Sequence, residues 1–301
     1  MGDIVSIDVG ATNIRIALFD RDGGEVSEIH KDKIDHADFM GQIYRVLDRQ
    51  RKFDGIGIAV PGRLAEDGKV WVYSPNMRGV TNLPVVDILS KKYRTRVRLS
   101  NDAVAAVTGE WRFGAGKGMR NVAYLTLSTG IGAGVVADGR PLSGKDGNAH
   151  EVGHCTIDAS GAMRCACGSY GHWEAYCSGS SIPRFAELLM RTKFKGMESK
   201  LRRVEGMDAE DVYGAAAHDK VAAGIVEEVG RLNAIGIANL INTYDPEIVT
   251  IGGGVALNNR KAVLEPILRH INEYKFNRIP PIEITPLGEK VVFYGAVAGF
   301  M

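Results

Sequence analysis

Cysteine is scarce in this chain, with four among 301 residues. So thin a supply excludes a disulfide-built framework, which needs dense pairing in small secreted domains. No apolar run reaches the roughly 18 residues that a membrane-spanning helix requires. An excess of charge of one sign is missing too: 37 Lys+Arg against 36 Asp+Glu leaves a formal net charge of +1. Neither nucleic acid nor an anionic membrane surface would find an electrostatic footprint here. The N-terminus enters a strand at once, with no basic and apolar leader. These absences predict a soluble cytoplasmic protein with reduced thiols and no nucleic-acid or membrane partner.

What is present is ordinary globular material, 45% hydrophobic and 24% charged, in a length that fits one large or two modest domains. Glycine is the exception. Its 37 copies gather in short runs, the pattern of turns that approach phosphates or pack closely.

The densest chemistry lies between Ala149 and Glu174, A-H-E-V-G-H-C-T-I-D-A-S-G-A-M-R-C-A-C-G-S-Y-G-H-W-E. His154, Cys165, Cys167 and His172 supply two imidazoles and two thiols, a tetrahedral N/S set of the kind Zn²⁺ prefers. C-x-C alone is weak, because free cysteine also serves as a small buried hydrophobe. The flanking histidines make the metal reading specific, with His150 as a rival to His154. Cys155 and Cys177 read as packing residues. Glu151 and Glu174 flank the cluster and suit the hydroxyls of a polyhydroxylated ligand.

Elsewhere the pattern alternates strands, glycine turns and helices. Ile4–Ile7 and Ile14–Phe19 read as a hairpin around Asp8-Val9-Gly10-Ala11-Thr12-Asn13. There Gly10, Thr12 and Asn13 could meet a phosphate, and Asp8 could hold Mg²⁺ through water. A plain Asp/Asn turn explains the same residues. Asp38–Lys52 has helical spacing. Gly55–Val60 and Val70–Tyr73 read as strands ending in loop punctuation. Val97–Leu99 runs through Ser100-Asn101-Asp102 into a helix, Ala103–Trp111. Either polar residue makes a good N-cap, and only one is needed.

Asn121–Leu127, then Ser128 to Gly134, then Val135–Ala137 repeats the strand, glycine turn, strand pattern of the N-terminus. Lying between two strands, this G-x-G-x-G argues against a dinucleotide site. Thr129, Gly130 and Gly132 are its phosphate candidates. Helices follow at Ile182–Met190, Asp208–Ala217 and Val221–Asn242. The strand Pro246–Ile251 closes on Gly252-Gly253-Gly254, where Gly253 and Gly254 permit close approach to a flat ligand such as adenine. A helix at Arg260–Asn272 and a last short helix ending at Met301 complete the chain.

In that order these motifs resemble the ROK family of sugar kinases and repressors, within the actin-like ATPase superfamily. Asp8-Val9-Gly10-Ala11-Thr12 is similar to its first phosphate motif, and Ser128–Gly134 to its second. Gly252-Gly253-Gly254 is similar to its adenosine motif, and Ser100-Asn101-Asp102 to the site of its catalytic Asp. Glu151-Val152-Gly153-His154 resembles its E-x-G-H signature. Cys165-Ala166-Cys167-Gly168 through Gly171 and Glu174 resembles its zinc segment. Two positions depart from the pattern: His172 stands where a third Cys is usual, and His150 stands where Gly usually precedes the Glu.

The resemblance implies an α/β, two-domain actin-like ATPase (ribonuclease H-like) fold with an interdomain active-site cleft. It implies one domain over 1–113 with 295–301, and another over 114–294 carrying a zinc insertion at 150–177. It implies ATP, Mg²⁺ and structural Zn²⁺, with Asp102 as general base. The sugar would meet Gly62, Asn76, Asn101, Asp102, Glu151, His154 and Glu174. Glucose is the expected hexose, since Ser74-Pro75-Asn76 is similar to the glucokinase loop. N-acetylmannosamine, another N-acylhexosamine or fructose is the alternative, because Gly62-Arg63 resembles a pair in some N-acetylmannosamine kinases. A repressor would carry a helix-turn-helix domain ahead of the strand at Ile4, and a sensor without catalysis would lack Asp102 or the glycine motifs. A homodimer or homotetramer is the expected assembly.

Overall fold

The structure, a computed structural model, describes residues 2–50, 52–74, 77, 79–149 and 151–301. The chain divides into two compact units. One comprises Met1–Arg120, Gly134–His150 and Lys290–Met301; the other comprises Asn121–Ala133 and Glu151–Glu289.

The first unit opens with β1 (Ile4–Val9), β2 (Asn13–Asp20) and β3 (Glu25–Lys33). Then come α1 (Phe39–Leu47), β4 (Gly55–Val60), β5 (Arg63–Leu64), β6 (Trp71–Tyr73), β7 (Thr81–Leu83), α2 (Val85–Tyr93), β8 (Arg96–Asn101) and α3 (Asp102–Phe113). Five of these strands form a sheet in the order β3-β2-β1-β4-β8. β1 pairs antiparallel with β2 and parallel with β4, which pairs parallel with β8. All six residues of β1 and of β4 are buried, which is why both read as unbroken apolar runs rather than alternating ones.

β3 gave no such signal. It is an edge strand with only Val26 buried, so its sequence carries charge instead of period-two hydrophobicity. α2, absent from the sequence expectations, buries Val85 and Leu89 one turn apart behind Pro84. A small sheet, β5-β6-β7, frames fully buried Trp71, whose Nε1 donates to Pro61 O at 2.8 Å.

The chain continues through β9 (Val122–Leu127), β10 (Ile131–Ala137) and β11 (Arg140–Pro141). Next are α4 (Glu174–Cys177), α5 (Ile182–Arg191), α6 (Ala209–Ala215), α7 (Lys220–Tyr244), β12 (Ile248–Gly252), α8 (Gly254–Asn258), α9 (Arg260–His270), β13 (Ile282–Ile284) and α10 (Val291–Val297). The second sheet runs β11-β10-β9-β12-β13, with β12 parallel to both β9 and β13. Its order matches that of the first sheet, so the repeated strand, glycine turn, strand pattern reflects a repeated architecture.

One expectation needs correcting here. β10 begins at Ile131, not Val135, so the turn after β9 is only Ser128-Thr129-Gly130. Gly132 and Gly134 are strand residues. At Gly134 a Cβ would stand 2.3 Å from Ala103 O and 2.6 Å from Val107 Cβ, so that glycine exists to let α3 pack on β10. α3 also packs on α10 through small residues: a Cβ on Gly295 would lie 1.6 Å from Ala105 O, and one on Gly109 would lie 2.3 Å from Val291 O.

In the second unit the 25-residue α7 is the central helix. Its N-terminus is capped by Asp219, whose carboxylate accepts from Val221 N and Ala222 N. α6 begins with a capping box between Asp208 and Asp211. Among the described residues no helix is long and apolar enough to cross a membrane.

Candidate active site

In the first unit the turn after β1 is closed by its own backbone, Gly10 N donating to Asn13 O at 2.8 Å. Thr12 is exposed and Asn13 half-buried. Asp8, next to last in β1, lies directly across from Arg15 on β2. The guanidinium donates to Asp8 Oδ2 from Nη2 at 2.5 Å and from Nε at 3.1 Å, and its Cζ lies 5.0 Å from the centre of the Phe293 ring.

At the β8–α3 junction Asn101 is the N-cap. Its Oδ1 accepts from Ala103 N at 2.8 Å and Val104 N at 3.2 Å, and its Nδ2 donates to Gly62 O at 3.1 Å. Because Asn101 does the capping, Asp102 is the first helical residue, half-buried, with Oδ1 accepting from Ala103 N at 2.9 Å. Gly62 holds φ +88°, a left-handed value that glycine adopts without strain, against Tyr73 and Ser74. Gly62, Asn101 and Asp102 thus converge in the first unit. Asn76 and His150 lie outside the described residues.

In the second unit the metal candidates come together. The ligating atoms of His154, Cys165, Cys167 and His172 all lie within 4.8 Å of one another. Cys165 Sγ is 3.7 Å from His154 Nδ1, and Cys167 Sγ is 3.3 Å from His172 Nδ1. Burial pushes the Cys165 thiol up, whereas the Ser169 backbone N–H draws Cys167 down. Burial and the neighbouring His154 ring lower His172, which keeps a lone pair available. The loop's turns use Gly168 and Gly171 at φ +100° and +74°. Asp158 braces the loop, accepting from Tyr176 Oη at 2.5 Å and from Ser160 N and Oγ. Two sulfurs and two ring nitrogens at this range fit a tetrahedral metal centre. Cys177 is buried, as expected of a packing residue, but Cys155 is exposed; its turn leaves the side chain outside the core.

Trp173 anchors this loop. It is 1% exposed, donates from Nε1 to Asn233 Oδ1 at 2.8 Å, and fills a slot on α7 that Gly236 leaves open. Its neighbours His172 and Glu174 are thereby held as well. His154 Nε2 lies 3.7 Å from Glu151 Oε2 on the one-turn helix Val152–His154. Both side chains are partly exposed, at 35% and 49%. Glu174 sends Oε2 to Ile131 N at 2.9 Å.

The glycine turns meet beside a cavity of about 390 Å³ in the same unit, lined among others by Ser128, Thr129, Ser180, Glu210, Gly254 and Asn258. Gly253 has φ +85°, and a Cβ there would collide with Leu127 O at 2.4 Å. The β12–α8 turn therefore lies against the end of β9. Ser180, Glu210 and Asn258 escaped the sequence reading, because no spacing rule links three helix starts and ends to one cavity.

Residues 4–297 match the ROK family. The chain is 38% identical to a glucokinase of Aeropyrum pernix over 291 residues, covering 91% of this chain and 88% of that one. It superposes with a TM-score of 0.80 on a ROK family glucokinase from Streptomyces griseus solved with glucose and AMPPNP, at 27% identity and 98% coverage of each chain. A ROK hexokinase from Thermus thermophilus gives a TM-score of 0.75 at 30% identity, covering 98% of this chain and 97% of that one.

Proposed function

Because this chain belongs to the ROK family and has the actin-like ATPase fold of its sugar kinases, we propose that it is an ATP-dependent glucokinase. It moves the γ-phosphate of ATP to the 6-hydroxyl of glucose. The observation that carries this reading is the 38% identity to a glucokinase across nine-tenths of the chain.

Asp102 takes the proton from the 6-hydroxyl as that oxygen attacks phosphorus. Its place as the first residue of α3, with Asn101 serving as the N-cap, supports the role. Gly62, Asn76, Asn101, Glu151, His154 and Glu174 take the remaining hydroxyls; carboxylates and amides suit this because they accept from or bridge adjacent hydroxyls. Gly10, Thr12, Asn13, Thr129 and Gly130 cradle phosphates. The cavity beside Gly253 and Gly254 takes the nucleoside. Asp8 would hold Mg²⁺, which when bound would neutralise charge on the transferring phosphoryl group. Asp8 fits that task with Oδ1, because both Arg15 bonds named above end on Oδ2. His154, Cys165, Cys167 and His172 would hold a structural Zn²⁺, and ligation through one ring nitrogen would fix the His154 ring for its sugar contact. The reaction takes place in the cytoplasm, in a homodimer or homotetramer.

The test is ATP turnover with Mg²⁺ against glucose, mannose, fructose, glucosamine, N-acetylglucosamine and N-acetylmannosamine. Glucose should lead in kcat/KM. A lead by N-acetylmannosamine would transfer the assignment to that sugar and point to Arg63. No turnover with any of them would remove the kinase reading.

A further inference from the structure

The turn Ser128-Thr129-Gly130 is fastened largely from outside itself. It has one bond of its own, Ser128 N to Gly130 O at 3.0 Å. The remaining fastenings come from one stretch beginning at Glu174. Gly179 N donates to Ser128 O at 2.7 Å, and Ser180 Oγ donates to Thr129 O at 2.8 Å. Ile131 N, immediately after the turn, donates to Glu174 Oε2 at 2.9 Å. That same Oε2 lies 2.7 Å from where a Cβ on Gly130 would stand, so the carboxylate fills the space behind the turn. On the other side of Ile131, its carbonyl oxygen lies 2.3 Å from where a Cβ on Gly153 would stand. Ile131 is therefore gripped through its N–H by Glu174 and crowded at its C=O by the E-x-G-H segment.

We propose that Glu174 is a positioning residue for the phosphate turn, and that its hold on Ile131 N sets nucleotide affinity before any sugar binds. The proposal rests on the kinase reading and deepens it. A bare carboxylate next to a phosphate site would repel the phosphate. Here one oxygen is committed to a backbone donor, a charge-assisted bond of the stronger kind. Without that acceptor, Ile131 N loses its partner and the turn loses the stop behind Gly130. The amides of Ser128–Gly130 then sample orientations that do not meet phosphate.

The test is calorimetric binding of Mg²⁺–AMPPNP to the whole chain in the absence of sugar. Glu174→Ala should raise Kd by about tenfold to a hundredfold, the loss expected for a hydrogen bond to a charged group. Glu174→Gln keeps an oxygen for Ile131 N and should stay within about threefold of wild type, because a neutral bond retains most of the geometry. Both variants should raise the KM for glucose, so the rescue by Gln is confined to the nucleotide. Gly130→Ala serves as a second probe, since its methyl group presses on Oε2; it should weaken binding alone and add nothing to Glu174→Ala. Glu174→Ala binding as tightly as wild type, or Gln no better than Ala, would overturn the proposal. If wild type itself binds no AMPPNP, the kinase reading fails and the proposal falls with it.

Discussion

In the first sheet the hairpin β1–β2 is fastened from close by: Gly10 N bonds to Asn13 O within the turn, Thr12 O accepts from Ile34 N just past the end of β3, and Asp8 pairs with Arg15 on the next strand. In the second sheet the hairpin β9–β10 has the same place in the same strand order, yet its turn is held by Glu174, Gly179 and Ser180, more than 40 residues downstream. The strand ends differ in the same way. After β8 the chain offers the polar pair Asn101-Asp102, whereas after β13 it offers Thr285-Pro286; after β12 it offers Gly252-Gly253-Gly254. One architecture used twice therefore presents a carboxylate at a strand end in one half and a glycine turn in the other. A strand order fixes where turns emerge, and local side chains fix what they do.

The sharpest break of this asymmetry is at Asp102. Asp102→Asn should lower kcat by about 10²- to 10⁴-fold, the usual range for losing a general base, while AMPPNP binding, which is not assigned to the Asp102 carboxylate, stays near wild type. A variant that keeps its kcat removes Asp102 from the role. Next in size is Gly295→Ala, which forces a methyl group into the Ala105 carbonyl at the α3–α10 crossing. Overpacking there should cost about 3 kcal/mol, read as a lower midpoint in urea; a neutral result would mean the crossing opens without cost.

A third effect should be local. Stripping metal with a chelator should release one Zn²⁺ per chain and speed hydrogen exchange at Ser128–Ile131, leaving Gly10–Asn13 unchanged, because only the second turn leans on the metal-bearing segment. Equal acceleration at both turns would erase the distinction. The smallest effect concerns α7 and α9. His270 Nδ1 lies 2.9 Å from Glu273 Oε1 and its Nε2 2.8 Å from Glu227 Oε1, and these carboxylates hold its pKa above the ordinary 6.5, Glu273 most of all. A group raised on folding stabilises fully below its unfolded value and loses that contribution as pH climbs through the folded one. The stability gap between wild type and His270→Gln should therefore be at most about 1 kcal/mol in mild acid and shrink toward zero in alkali. A gap that grows with pH would reverse the assignment.

Much of this was legible beforehand, for identifiable reasons. β1, β4, β9 and β12 are buried on both faces, so their apolar runs announce them. The four metal candidates announce themselves by donor chemistry, and their ligating atoms do gather. The edge strand β3 was invisible because a strand facing water need not alternate. The start of β10 was misread because Gly132 and Gly134 imitate a turn; Gly134 is there for α3, a partner no local rule can see. Glu174 shows the same limit. Its residue type suggested hydroxyl binding, and its backbone partner Ile131, 43 residues away, could not be inferred from spacing.

By itself, then, the sequence determined the succession of buried strands, the donor set of the metal loop and the family, since each depends on residue type and near-neighbour order. Only the tertiary structure decided which glycines serve turns and which serve packing, which polar residue caps α3, and which carboxylate holds the turn after β9. Those outcomes depend on which atoms arrive within about 3 Å of one another, and chain folding sets that distance without regard to separation in sequence.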